Sequence, residues 1–215
     1  MRKKYLFVPL LIFIAAILAA FFLLEKNKPA RDLLWELTLV NYENKIPDDY
    51  KFSLSKLPNG LEVDSRIYVQ LMLMLEDMES EGIYAVVGEG YRTSEAQQKM
   101  MDDRISAYIN EGYSEKKAQR LAEQYVAKDG FSEHQLGLAV DINADKSRSE
   151  NDEVYSWLAE NAYKYGFIER YPQDKENTTK IAYEPWHYRF VGLDAAKEIY
   201  GSKLSLEEYI EKYRK

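Results

Sequence analysis

Residues Phe131–Ile142 read FSEHQLGLAVDI and carry one of only two histidines in a chain of 215 residues. Leu138, Val140 and Ile142 alternate with Ala139 and Asp141. That period of two predicts a β-strand with Asp141 on the face opposite Val140. A carboxylate between Val140 and Ile142 needs a partner, either a cation or a basic side chain in a salt bridge. The second histidine, His187, lies in YEPWHYRFVG, within another strand candidate over 180–191. His134, Asp141 and His187 would together supply three protein ligands, the number a hydrolytic zinc site takes while keeping a fourth position for water. Neighbouring strands of one sheet would bring them together.

Hydrolysis at such a site also needs a base for the proton of the attacking water. Glu184 stands three residues before His187. Positions three apart on a regular strand face opposite ways, so the pairing requires a turn, for which Pro185 supplies a reason. Arg92, in GYRTSEAQQ, follows Gly88 and Gly90 at the entry to a helix. A guanidinium there is suited to a substrate carboxylate or to a developing oxyanion. Each of these residues alone also has an ordinary structural reading: a hydrogen-bonded core histidine, a surface glutamate, a solvated arginine.

Around these motifs, helical spacing of Ile67, Leu71, Leu75 and Met78 after Ser65 predicts a helix ending before Gly82. Ile83–Val87 reads as a short strand, and Thr93 or Ser94 caps a helix to about Asn110. Ser114 caps another, to about Lys128, closed by Gly130. A helix over 152–165 stops at Gly166; Asp194 and Ser205 cap two more, Ser205 with Glu208 as a capping box. The class expected is α+β, a small, mainly antiparallel sheet flanked by helices.

Arg2, Lys3 and Lys4 precede twenty uncharged residues, Tyr5–Leu24, after which Glu25, Lys26 and Lys28 end the run. At helical rise this length matches the hydrocarbon thickness of a bilayer, whereas secretory h-regions are shorter. The expected organisation is a basic cytoplasmic end (1–4), a transmembrane signal anchor (5–24), a stalk (25–50) and an extracytoplasmic domain (51–215). Cleavage near Ala15-Ala16 or Ala19-Ala20, giving a secreted protein, is the alternative. Residues 1–31 carry six basic side chains and one acidic, leaving 23 basic against 35 acidic in the remainder, a net of −12. So acidic a domain is a poor ligand for nucleic acid. The absence of cysteine excludes a disulfide framework, a thiolate nucleophile and a Cys-based zinc site.

SEHQLGLAVD (Ser132–Asp141) resembles the Ser-x-His-x-x-Gly-x-Ala-x-Asp motif of the VanY-type D-alanyl-D-alanine metallocarboxypeptidases. YEPWHYRFVG resembles that family's second motif and GYRTSEAQ its upstream arginine motif, in the family's order, over residues of about 60 to 195. The resemblance implies a zinc peptidase fold of the lysostaphin, D-Ala-D-Ala peptidase and hedgehog type, with one Zn2+ per chain. It implies His134, Asp141 and His187 as ligands, Glu184 as base and Arg92 at the oxyanion. It also implies Gln97 and Ser132 as contacts for the substrate's terminal D-residue. The implied reaction is removal of D-alanine from peptidoglycan pentapeptide stems or their lipid-linked precursor. A single anchor and an acidic domain give no reason to expect more than a monomer. An L,D-carboxypeptidase acting on tetrapeptide stems, a cell-wall endopeptidase and a non-enzymatic wall-binding module share the fold. Asp129 departs from the family, which often has proline before the glycine at this turn.

Overall fold

The computed structural model describes residues 35–213. The expected span Tyr5–Leu24 lies outside these, and among them no helix is long and apolar enough to cross a membrane. One compact unit covers Glu36–Lys215. Residues 36–50, expected as stalk, therefore belong to the folded body: Leu37 and Val40 are buried in it, and Ile46 donates its amide to the Gly130 carbonyl at 2.9 Å.

A hairpin opens the domain, β1 (Leu54–Lys56) pairing antiparallel with β2 (Glu62–Asp64). Helix α1 (Tyr68–Ser80) follows, with Leu71, Met74 and Met78 buried at the i, i+3, i+7 spacing that gives a helix one apolar face. Strand β3 (Ala85–Glu89) leads to α2 (Ser94–Asn110), where the Thr93 side chain accepts the Ala96 amide as N-cap. Helix α3 (Glu115–Ala122) starts after Ser114 as expected but ends six residues before Lys128. It packs with α2 around Met101, Ala122 and Val126.

The main sheet adds β4 (Ala139–Ala144), β5 (Phe167–Glu169) and β6 (His187–Phe190) in the order β3-β4-β6-β5, every pair antiparallel. Helix α4 (Asn151–Asn161) and a 3-10 turn to Tyr165 precede Gly166, whose φ of +86° closes the helical stretch. A single helical turn, α5 (Glu176–Thr179), occupies part of the ground between β5 and β6. The strand expected over 180–191 is thus confined to 187–190, because the chain turns at Pro185-Trp186 before it can pair. Helices α6 (Leu193–Ser202) and α7 (Leu206–Tyr213) complete the domain. Ser205 and Glu208 exchange side-chain bonds to each other's amides at 3.2 and 2.7 Å, a capping box.

Val140 and Ile142 of β4 and Tyr188 of β6 are buried, with α4 packed against β4 and α6 against β5. Alternation along β4 and β6 turns Asp141 and His187 the other way. The sheet thus has an apolar face in the core and a polar face that carries chemistry.

Candidate active site

Asp141 and His187 are direct cross-strand partners in the β4–β6 register, which puts their side chains next to each other on one face. His134 comes from the short 3-10 turn Glu133–Leu136 just before β4. One ligand atom from each of these three residues falls within 4.8 Å of the others. Asp141 Oδ1 stands 3.1 Å from His187 Nδ1 and 3.4 Å from His134 Nε2. That oxygen is buried and makes no aligned hydrogen bond with either ring or with any other group among the described residues. Three potential ligand atoms converging on a buried point fit a cation, and imidazole with carboxylate is a donor set that zinc accepts. Burial alone would raise the Asp141 carboxyl; the two imidazoles overcome it and hold the group well below the usual carboxylate range.

The loop carrying His134 is fixed from two sides. Its Nδ1 lies 2.8 Å from the Gly90 carbonyl, which can only accept, so Nδ1 bears a hydrogen and Nε2 is the nitrogen turned toward Asp141. In return the Arg92 amide donates to the His134 carbonyl at 3.1 Å. Both loops lean on the β1–β2 hairpin: Tyr91 donates to the Glu62 carbonyl at 2.6 Å and Asp64 to the Gly137 carbonyl at 3.0 Å. A Cβ on Gly90 would sit 2.4 Å from the Glu62 carbonyl oxygen, closer than any real contact. Gly137, at φ +71°, would bring a Cβ to 2.8 Å from the Asp64 amide nitrogen. Only glycine lets these loops approach the hairpin.

Glu184 is brought to the group by a turn: the His187 amide donates to the Glu184 carbonyl at 3.1 Å across Pro185-Trp186. Its carboxylate lies 3.7 Å from His187 Nδ1. Burial pushes the Glu184 carboxyl up to about 7, with Asp141 adding to the rise while His187 and Arg92 oppose it. A carboxylate with that affinity for a proton is matched to proton transfer near neutral pH.

Arg92 is buried, with Nη1 donating to Gln97 Oε1 at 2.8 Å and Nη2 paired with Glu89 at 3.3 Å. Its Nε is buried without a hydrogen-bond partner among the described residues. Gln97 is wholly buried, and its amide nitrogen donates to the Ala127 carbonyl at 2.6 Å. Gln97, expected as a substrate contact, bonds Arg92 directly. Ser132 is buried at the start of the turn that carries His134. Asp129, at the family's proline position, accepts from Ser94 Oγ and Gln135 Nε2, each at 2.7 Å, and so braces the same turn.

Three residues beside the metal group went unread in the sequence. Glu133 is fully buried and accepts from Arg170 Nε at 2.8 Å and Arg189 Nη1 at 2.9 Å. Both guanidiniums are themselves fully buried. The readable signal was Arg189, a charge between Tyr188 and Phe190 in an apolar strand, which demands a partner as Asp141 does.

Fold and site together fit a metallopeptidase: His134, Asp141 and His187 form a group able to hold a metal ion, with the Glu184 carboxylate adjoining and the Arg92 guanidinium buried nearby. The D-alanyl-D-alanine carboxypeptidase (VanY) family profile matches residues 60–193, and the chain belongs to that family. It is 49% identical to a D-alanyl-D-alanine carboxypeptidase of Enterococcus faecalis over 176 residues, which is 82% of this chain and 66% of the relative's length. Among solved structures, VanYB in complex with D-alanine-D-alanine superposes with a TM-score of 0.81 at 49% identity, covering 83% of this chain and 98% of that one. A VanY variant from a VanB-type resistance cassette, in complex with Zn(II), gives 0.80 at 49%, over 82% and 99%. The LD-carboxypeptidase LdcB gives 0.66 at 36%, over 81% and 85%.

Proposed function

We infer that this chain is a zinc-dependent D-alanyl-D-alanine carboxypeptidase that removes the terminal D-alanine from peptidoglycan pentapeptide stems. The observation that carries this reading is the convergence of His134, Asp141 and His187 within 4.8 Å with the Glu184 carboxylate beside them. Zinc held by those three residues would supply Lewis acidity and bring a water into the range where it ionises near neutral pH.

Glu184 takes the proton of the attacking water and returns it to the departing D-alanine amine; its high proton affinity suits both halves of that transfer. Arg92 directs a fixed positive charge at the oxygen of the scissile carbonyl, where negative charge develops. Gln97 keeps that guanidinium in place through the 2.8 Å bond. Ser132 is assigned to the substrate's C-terminal residue. No side chain attacks the carbonyl, so no covalent intermediate forms. Residues 5–24 are assigned as an anchor that holds one catalytic domain per chain, 36–215, on the outer face of the membrane, where wall precursors lie. Their uncharged length supports this.

The test uses the full-length chain, loaded with zinc and offered equal pentapeptide and tetrapeptide stems, with products read by mass spectrometry. Conversion of pentapeptide to tetrapeptide, abolished by chelator and restored by zinc, is expected. Loss of D-alanine from the tetrapeptide instead would move the enzyme to the L,D class. Glu184→Ala is expected to keep stoichiometric zinc while hydrolysis falls by orders of magnitude; full activity in that variant would remove Glu184 from the mechanism.

A further inference from the structure

The two ligand histidines are held by different nitrogens. His134 gives its Nδ1 to the Gly90 carbonyl and turns Nε2 toward Asp141. His187 is reversed: Nδ1 is the nitrogen 3.1 Å from Asp141, and Nε2 points into the protein. An imidazole can offer a lone pair at Nδ1 only if its proton resides on Nε2, and something must favour that tautomer.

The group facing Nε2 is Glu133, whose Oε2 is 3.7 Å away. Both atoms are buried, and neither has a hydrogen-bond partner among the described residues. If Glu133 served only to neutralise Arg170 and Arg189, its two oxygens would be expected to share them. Both guanidiniums instead bond Oε1, at 2.8 and 2.9 Å, and leave Oε2 toward the ring. The arginines are anchored in turn. Arg170 donates to both oxygens of Glu207, at 2.6 and 3.0 Å. Arg189 donates to the carbonyls of Glu36 and Thr38 at 3.0 Å each and to that of Phe190 at 2.9 Å. Two arginines and two glutamates balance in charge, so the carboxylate remains ionised although buried. The Tyr171 ring, 4.8 Å from the His187 ring, limits how the imidazole can turn.

We propose that Glu133 is a positioning residue for the metal centre: its Oε2 takes the Nε2 hydrogen of His187, so that His187 binds zinc through Nδ1, while Arg170 and Arg189 fix the carboxylate by Oε1. The proposal rests on the zinc-peptidase reading above and adds to it a residue that touches neither metal nor substrate. The bond forms once the 3.7 Å separation of Oε2 and Nε2 closes to within hydrogen-bonding distance.

Glu133→Gln tests this. Arg170 and Arg189 hold the amide oxygen where Oε1 was, which turns the NH2 toward His187 Nε2 and favours the opposite tautomer, with the proton on Nδ1. Zinc affinity of the full-length chain, measured by competition with a chromophoric chelator, is expected to fall by about 10- to 100-fold, the usual effect of losing such a partner. Cooperative thermal unfolding of the metal-free chain should persist. A folded Glu133→Gln variant with wild-type zinc affinity would overturn the proposal. Should the variant fail to fold, the wild type decides. In a long-range 1H–15N spectrum of the zinc-loaded, 15N-labelled chain, His187 should show Nδ1 coordinated and Nε2 protonated, and coordination through Nε2 would overturn it. Failure of the underlying zinc reading looks different: the wild type itself would bind no zinc.

Discussion

At the scale of single residues, the site works by assigning each polar atom one direction. Arg92 has two of its nitrogens bound to Gln97 and Glu89, while its buried Nε has no partner among the described residues. Gln97→Met keeps side-chain volume and removes the bond to the guanidinium, a charge-assisted interaction of about 1.5–3 kcal/mol. If that energy acts in the transition state, kcat/KM falls by roughly 10- to 100-fold with zinc stoichiometry unchanged. Steady-state kinetics beside metal analysis checks this, and an unchanged kcat/KM would detach Gln97 from Arg92's task. The grouping of His134, Asp141 and His187 beside Glu184 was legible because histidine is so scarce here and because a carboxylate in an apolar strand asks for a cation. Glu133 was not, although it adjoins His134. Its partners lie 37 and 56 residues away, and only the β5–β6 pairing brings Arg170 and Arg189 to it.

At the scale of elements, β4 and the longer helices could be read from periodicity, and the caps Thr93 and Ser205 stand as expected, but α1 starts after Ile67 rather than at Ser65 and α6 after Gly192 rather than at Asp194. The β1–β2 hairpin could not, since three residues per strand give too little alternation to detect. Its one sequence signal was Asn59-Gly60, a turn dipeptide, with Gly60 at φ +89°. Yet this hairpin is the surface on which the loop carrying Arg92 and the loop carrying His134 both rest, through the Glu62 carbonyl and the Asp64 amide. Gly90→Ala forces a methyl group against the Glu62 carbonyl oxygen at 2.4 Å, and backbone must move to admit it. Overpacking of this kind costs about 1–3 kcal/mol. With a domain of this size, that lowers the melting temperature by roughly 2–12 °C. Because the Gly90 carbonyl also holds His134, zinc affinity should drop along with stability. A Gly90→Ala variant with wild-type melting and zinc binding would show that the loop does not depend on this approach.

At the scale of the whole molecule, the buried arginines that hold Glu133 beside His187 also tie the two ends of the folded chain together. Glu207, on α7, takes both guanidinium bonds of Arg170 and also the Asn41 side-chain amide at 3.0 Å. Arg189 reaches the carbonyls of Glu36 and Thr38. Burial would raise the Glu207 carboxyl, but Arg170 and the Asn41 bond outweigh it and hold the group below its ordinary 4.5. For Glu133 the two arginines likewise outweigh burial and hold the carboxyl well below the usual range. A carboxyl whose folded pKa lies below its unfolded one binds fewer protons folded than unfolded. Its contribution to stability is complete above about pH 4.5 and is lost as pH falls through the folded value. Glu207→Gln removes that contribution at Glu207 alone. The variant should therefore be less stable than wild type at pH 6, by about 1–3 kcal/mol for a weakened charged hydrogen-bond pair. The difference between the two should shrink as the pH is lowered from 4.5 toward 3. Denaturant unfolding of both chains at fixed ionic strength measures it. A difference that stayed constant down to pH 3 would mean that the Glu207 charge does not hold the ends of the fold. Since Arg170 shares its guanidinium between Glu207 and Glu133, a confirmed acid-dependent loss at α7 would also be felt at the ring of His187.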